Sequence, residues 1–298
     1  MSLMLKLSDY NYHLPKELIA NMPASPRDSA RLFVYDTTTD TILFDIFKNI
    51  GKYLPRPSLL IFNDTKVVPA RLWLIKETGG KIEALLLLNE YRRGDSLIKG
   101  IVDRKLLTGM TLFFRNGAEL KVVKQEDQFF FFKPSVPLHT FWKLLDQEGK
   151  TPIPPYIKHT KLSEFMLRKK YQSVLARERA SVAAPTASLH FTKKLIAELV
   201  KNDIAHTEIT LHIGLGTFAP VDEKNITEKK LFTEYFEITR KSADEQNHAK
   251  ASSIPIIPVG TTALRTIESA ARNNRGDSLT WEGVSSVVSG ANSTDLFV

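Results

Sequence analysis

The chain has 298 residues with 43% hydrophobic and 25% charged side chains, a balance that excludes disordered and fibrous classes. It has no cysteine, which excludes disulfides, thiolate metal sites and cysteine nucleophiles. Lysine and arginine outnumber acids 41 to 33, and the net charge of +8 favours a polyanionic partner through long-range attraction and counterion release. The length exceeds what one core usually fills, so two domains are expected. No apolar run approaches the roughly 20 residues needed to cross a bilayer. "MSLMLKLSDYNYHLP" lacks the apolar core and cleavage site of a signal peptide, so a cytoplasmic protein with no membrane partner is expected.

In chain order, "HLPKELIANMPASPRDSAR" predicts one short helix starting at Pro15, with Leu18 and Ile19 inward, and then a loop carrying Arg27, Asp28 and Arg31. "RLFVYD" and "SLLIFND" read as buried strands ended by polar turns. From about Lys66 to Phe132 short apolar runs alternate with "ETGGK", "RRGD", "LLTG" and "RNGA", which predicts a small antiparallel barrel or sandwich. "LHTFWKLLDQEG" has helical spacing, and "TPIPPYIK" reads as a rigid extended re-entry from an inserted domain. A charged helix over "SEFMLRKKYQSVLARER", a helix over "KKLIAELVK", strands over "HTEITLHIGL", "LFTEYFEIT" and "IPIIPVG", and a helix over "ALRTIESAARN" predict an α/β body.

Several stretches could carry chemistry. "SVAAPTASLHFT" combines small side chains with the hydroxyls of Ser181, Thr186 and Ser188 and a proton carrier, His190. Thr192 suits the N-cap of the following helix, whose free amides attract anions. The same stretch also reads as a tightly packed loop. "EITLHIGLGTFAPV" alternates, placing Thr210, His212, Gly214 and Gly216 on one face, either under a ligand or against a helix. Gly214, Gly216 and Ala219 fit a dinucleotide fingerprint superficially, but Pro220 follows and no helix opens there, which excludes it.

"IIPVGTTALRTIE" is a strand, a turn with Thr261 and Thr262, and a helix carrying Arg265. "FNDTKVVPARL" places Asp64 at a strand end with Arg71 beyond, and Glu234 alternates with apolar residues in "LFTEYFEI". The seven histidines form no metal-binding spacing, and no Walker loop or nucleophile elbow occurs. "RKKYQSVLARER" reads as a solvated face or, with Tyr171, as a surface along an RNA backbone.

Taken together, "LPKELIANMPASPRDSARL", "LLIFNDTKVVPARL", "TPIPPYI", "SVAAPTASLHFT", "ITLHIGLGTFAPV" and "VGTTALRTIES" resemble the S-adenosylmethionine:tRNA ribosyltransferase-isomerase family of queuosine biosynthesis, in the family's order. The resemblance implies an irregular, barrel-like α/β main domain over residues 1–65 and 151–298, interrupted by an all-β barrel over 66–150. It implies transfer and isomerisation of the ribosyl part of S-adenosylmethionine onto the 7-aminomethyl-7-deazaguanine wobble base of tRNA, giving epoxyqueuosine, adenine and methionine. S-adenosylmethionine is then a co-substrate, with no cofactor or metal, and the protein is expected to be a monomer.

By the same resemblance His190, His212, Asp64 and Glu234 are the candidate catalytic groups. Arg71, Ser181, Thr186, Ser188, Gly214, Gly216, Thr217, Thr261, Thr262 and Arg265 are the candidate binding residues. The chain departs from the family pattern in several places. Lys229 and Phe232 stand where a His-x-Met-His-x-Glu pattern has histidines, and Ala180 and Ser188 stand where glycines are usual. Family members also continue past "STDLFV" into a segment with an Asn-Phe-His-Leu-Pro motif, which the resemblance implies is lacking here. A catalytically silent tRNA-binding relative is therefore the alternative expectation.

Overall fold

The structure, a computed structural model, describes residues 7–91, 94–157, 160–218, 221–228, 230–273, 287 and 289–296. Arg31–Asp36 (β1) and Thr41–Ile46 (β2) pair as a separate antiparallel ribbon. Ser58–Asn63 (β3) and Thr65–Val67 (β4) follow in the main body. Arg71–Lys76 (β5), Lys81–Leu86 (β6), Ile98–Val102 (β7), Thr111–Phe113 (β8), Glu119–Glu126 (β9) and Phe129–Pro134 (β10) close into a barrel in the order β10-β7-β6-β5-β8-β9. Leu138–Glu148 (α1) plugs it.

The chain then forms Glu164–Lys170 (α2), Glu178–Ser181 (β11), Lys193–Lys201 (α3), Ile204–His212 (β12) and Glu223–Glu228 (α4). Lys230–Ile238 (β13), Arg240–Ala251 (α5), Ile256–Pro258 (β14), Thr261–Asn273 (α6) and Gly290–Leu296 (β15) complete the described elements. A five-stranded sheet has the order β14-β3-β12-β13-β15. In it β3 lies parallel to β12 and β14, while β12, β13 and β15 run antiparallel. β11 pairs parallel with β4.

Each barrel run became one strand because its period-2 pattern has a single solution. Leu74, Ile82, Leu112, Leu120 and Phe132 are fully buried inside, where Phe141, Leu144 and Leu145 of α1 join them. The interior is tight enough that a Cβ on Gly100 would come 2.9 Å from the Leu85 carbonyl oxygen. In the main sheet β3 is apolar on both faces, as a strand covered on both sides must be. Ile61 packs with Ile209, Leu211, Ala263 and Ile267 on one side, while Leu60 and Phe62 pack with Phe191, Leu195 and Leu199 on the other.

Four sequence expectations are corrected. "RLFVYD" is not a buried strand, since β1 is mostly exposed. The segment at Pro15 forms only a single 3-10 turn, Lys16–Leu18, with Leu18 outward at 68% exposure. The charged helix stops at Lys170 because tertiary contacts override propensity. There the Gln172 side chain donates to the Val67 carbonyl (2.8 Å) and accepts from its amide (3.0 Å), as a neighbouring strand would. Finally, β11, α4, α5 and β15 were not anticipated. The inward face of α5 is Ser242, Ala243, Gln246 and Ala249, too small and polar to give an apolar stripe.

Candidate active site

Three chain segments converge at one end of the main sheet. Residues 181–192 leave β11 and are tied to the end of β12. The Ser181 hydroxyl donates to the Ala183 carbonyl (2.8 Å) and accepts from the Ile213 amide (2.8 Å), and the Val182 amide donates to the Ile213 carbonyl (3.0 Å). The segment makes a 3-10 turn, Thr186–His190, and then Thr192 caps α3 by accepting from the Leu195 amide at 3.0 Å. The second segment runs from β14 into α6. Gly260 has φ +89°, the left-handed region that only glycine enters freely, and a Cβ there would sit 3.0 Å from the Ala187 Cβ. The third is the turn after β12. The strand ends at His212, earlier than its alternation predicts, and a 3-10 turn, Leu215–Phe218, takes over.

These segments enclose a hollow of about 340 Å³, lined by Ala184, Pro185, Thr186 and Ala187, by Ile213 and Thr217, by Val259 to Thr262, and by Pro154, Tyr156 and Tyr171. The volume suits a small organic molecule. Burial pushes the Tyr171 phenol up to about 12, against the hydrogen bond from the Ala184 backbone, so it is neutral at physiological pH. A second hollow of about 280 Å³ shares Thr217, Thr261 and Thr262 and adds Gly216, Leu231, Phe232, Glu234 and Arg265. A Cβ on Gly216 would collide with Phe232 at 2.6 Å, so this position of the second hollow's wall requires glycine.

Glu234 and Arg265 form a buried pair between the hollows and the sheet. One Glu234 oxygen accepts from the Gly214 amide at 2.8 Å, and the other meets the Arg265 guanidinium. Arg265 also donates to the carbonyls of Leu296 (3.0 Å), Phe232 (3.3 Å) and Thr294 (3.4 Å), fastening α6 to β13 and β15. Burial raises the Glu234 carboxyl above its usual range, with Arg265 and the Gly214 amide pulling the other way.

The structure therefore brings Thr186, Thr217, Thr261, Thr262, Gly216, Glu234 and Arg265 onto the two hollows and sets the other candidates behind or away from them. Ser181 is fully buried as the latch described above. Ser188 is buried, and its hydroxyl has no hydrogen-bond partner. Gly214 sits under Asn89, whose Nδ2 would lie 2.5 Å from an added Cβ. Asp64 is buried, accepting from the Thr210 hydroxyl (2.7 Å) and the Arg177 guanidinium (2.8 Å), which raises the Arg177 pKa. His212 Nδ1 lies 2.8 Å from the Thr65 hydroxyl.

His190 is on the outer side of its turn, its ring 5.1 Å from that of Phe47, and partial burial lowers its pKa. Arg71 stands on β5 of the barrel, paired with Glu83. Of the four candidate catalytic groups, Glu234 alone lines either hollow. Lys229 lies outside the described residues.

Sequence reasoning missed Tyr156 and Tyr171 as walls, Asn89 as the group pressed on Gly214, and Arg177 as the partner of Asp64. The proline-tyrosine cluster in "TPIPPYIK" was the available signal for Tyr156. Asn89 and Arg177 are 125 and 113 residues from their partners, which no local pattern reports. Among the described residues no group of three or more His, Asp or Glu is arranged to hold a metal ion, and no helix is long and apolar enough to cross a membrane.

Two hollows at one end of a mixed sheet, sharing Thr217, Thr261 and Thr262 and walled by backbone, hydroxyls and small side chains, are the candidate ligand site of an α/β protein. The particular lineage comes from comparison. The model of a family described as queuosine biosynthesis protein matches residues 7–298, and the chain belongs to that family. It is 43% identical over 269 residues to the S-adenosylmethionine:tRNA ribosyltransferase-isomerase of Carboxydothermus hydrogenoformans, covering 90% of this chain and 78% of that one. It is 39% identical over 280 residues to the enzyme of the same name from Nitratiruptor, covering 91% and 78%. A crystal structure of S-adenosylmethionine tRNA ribosyltransferase from Thermotoga maritima aligns with a TM-score of 0.44 at 24% identity, covering 97% of this chain and 78% of that one.

Proposed function

We propose that the chain transfers and isomerises the ribosyl moiety of S-adenosylmethionine onto the 7-aminomethyl-7-deazaguanine wobble base of tRNA, releasing adenine and methionine. Family membership and the relatives' names support the reaction class. The observation that carries it to this chain is the convergence of residues 184–187, of Ile213, Gly216 and Thr217, and of residues 259–262 on two hollows that share Thr217, Thr261 and Thr262, where the charged residues among the described lining, Glu234 and Arg265, pair with each other. Such walls suit a sulfonium nucleoside, which brings its own positive charge and needs hydroxyls and backbone for its ribose. The sulfonium acidifies the adjacent ribose carbon, so a positioned base removes a proton, adenine departs, the tRNA base's amine attacks, and methionine leaves as the epoxide closes.

Glu234 is the carboxylate best placed to hold the amine or take the proton, its pKa raised by burial against the opposing pull of Arg265. His190 and His212 act, in this reading, by holding the loop and the strand end rather than by touching substrate. The main body, 1–65 and 151–298, carries the reaction, the barrel over 66–150 is a separate inserted domain, and the protein works as a monomer without a cofactor. Incubating the protein with S-adenosylmethionine and tRNA bearing the precursor base should release free adenine. Tight tRNA binding with no adenine would instead support a silent relative, the reading that Phe232 favours where the family pattern has histidine.

A further inference from the structure

The β1-β2 ribbon exposes an aromatic face that the proposed reaction does not use. Residues directly opposite on paired strands share a face, so Arg31, Phe33 and Tyr35 of β1 lie beside Ile46, Phe44 and Ile42 of β2. Phe44 is 80% exposed, Phe33 58% and Tyr35 51%, values unusual for aromatics gathered on one surface. Phe33 and Phe44 stand edge to face, 5.7 Å between centroids. The opposite face is the anchored one. There Leu32 packs toward the main core, and Asp45 accepts from the Asn49 amide (2.7 Å) and the Tyr53 hydroxyl (2.8 Å).

The root of the ribbon joins the back of the candidate site and is basic. The Ala30 carbonyl accepts from the Phe47 amide at 2.8 Å, and the Phe47 ring packs on His190 and Phe191, at the end of the segment that walls the first hollow. The 3-10 turn Phe47–Lys52 carries Lys48 and Lys52, which with Arg56, Asn49 and Asn202 line a shallow depression of about 170 Å³ that Glu198 also borders. Lys52 stands 3.6 Å from Asp45, and Arg56 donates to the Gly51 carbonyl at 3.1 Å. The acidic residues of the ribbon's turn, Asp36 and Asp40, lie at the far tip, with Asp40 held by the Tyr35 hydroxyl at 2.7 Å.

Size selects among occupants. Strands of six residues rise roughly 20 Å, and two of them span about 10 Å, giving a face of about 200 Å². A stable dimer needs about 800 Å² per partner, so a second copy of the chain is too large a claim for this surface. Two or three flat rings fit it. Exposed aromatics with Arg31 at one end, on a chain of net charge +8, form the arrangement that holds single-stranded nucleic acid, with bases stacked on rings and a phosphate on the cation. We propose that this face docks single-stranded RNA, with bases on Phe33, Tyr35 and Phe44 and a backbone phosphate on Arg31, which shares their face at the root of the ribbon. The choice of RNA rests on the tRNA-modifying reading above.

The test uses the full chain and two synthetic RNA probes, a hairpin with a single-stranded loop and the same stem closed as a blunt duplex, read by fluorescence anisotropy. The double variant Phe33→Ala/Phe44→Ala should weaken hairpin binding at least about tenfold and leave duplex binding unchanged. Phe44→Tyr should bind as the parent does, and Phe44→Leu should not, which separates a flat stacking surface from mere apolarity and from ribbon stability. Arg31→Gln should lower the slope of log affinity against log salt by about one.

Parent-like hairpin binding by the double variant, or by Phe44→Leu, overturns the proposal. If the parent still releases adenine with precursor tRNA in that case, the functional reading stands alone. A parent that binds neither probe and releases no adenine removes both. A concentration-dependent dimer abolished by Phe33→Ala/Phe44→Ala would assign the face to a second copy and overturn the RNA docking.

Discussion

The barrel and the candidate site are built on opposite plans. The barrel's interior is held by apolar contact, with Leu74, Ile82, Leu112, Leu120, Phe132 and Phe141 fully buried, so its stability is spread over many exchangeable parts. The site is held by a few directional bonds among buried polar groups: the Ser181 latch, the Asn63 side chain clasping the Leu211 backbone at 3.0 and 3.1 Å, and the Glu234–Arg265 pair. Such bonds give little net stability when made but cost heavily when half broken, which suits walls that must stay put around a ligand. The two regions meet where Asn89, in the 3-10 turn Leu88–Glu90 that follows β6, presses on Gly214.

Two substitutions of equal expected cost would separate the plans. Glu234→Ala leaves a guanidinium only 9% exposed without its carboxylate, and Phe132→Ala empties a fully buried ring site. Each should lower unfolding free energy by about 3–5 kcal/mol, measurable by denaturant titration. Adenine release per folded molecule should then diverge, lost in Glu234→Ala and retained in Phe132→Ala. Equal loss in both would mean that the barrel core and the hollow are one cooperative unit.

Ser181→Ala sharpens the comparison at smaller scale. It removes the acceptor of the Ile213 amide and should cost about 1–3 kcal/mol while raising the KM for S-adenosylmethionine, because Ile213 also lines the first hollow. Thr192→Ala is its control. Loss of the α3 cap should cost about 1 kcal/mol in the same melt and leave the KM unchanged.

This division also explains what the sequence could reveal. Six apolar runs became six strands because period-2 burial and glycine turns are local properties, and "KKLIAELVK" with Thr192 became a capped helix for the same reason. The small-residue segment 181–192 and the Gly-Thr-Thr turn were visible as possible ligand surfaces, and residues 184–187 of the first and the whole of the second line the hollows. Their distinction from Arg71 and Asp64 was not visible. Arg71 is claimed by Glu83 and Asp64 by Arg177 and Thr210, pairings fixed by tertiary approach across 12 to 146 residues. The exposed ribbon misled in the opposite sense, since "RLFVYD" has the composition of a buried strand without a partner layer to bury it.

The smallest effect concerns His190, and its sign follows from its surroundings. Partial burial against Phe47 holds its pKa below 6.5, with the nearby Arg27 charge lowering it further and the Arg27 backbone bond opposing. Above 6.5 the imidazole is neutral in both the folded and unfolded chain, so it adds no pH dependence there. As the pH falls through 6.5 the unfolded chain takes up the proton first, and the folded state loses stability until its own lower pKa is passed. His190→Gln should therefore flatten the stability curve below pH 6.5 without moving it near pH 8. Because the ring belongs to the outer side of the segment, adenine release at pH 8 should change little. A large loss there would mean that His190 reaches the substrate and that the segment turns over on binding.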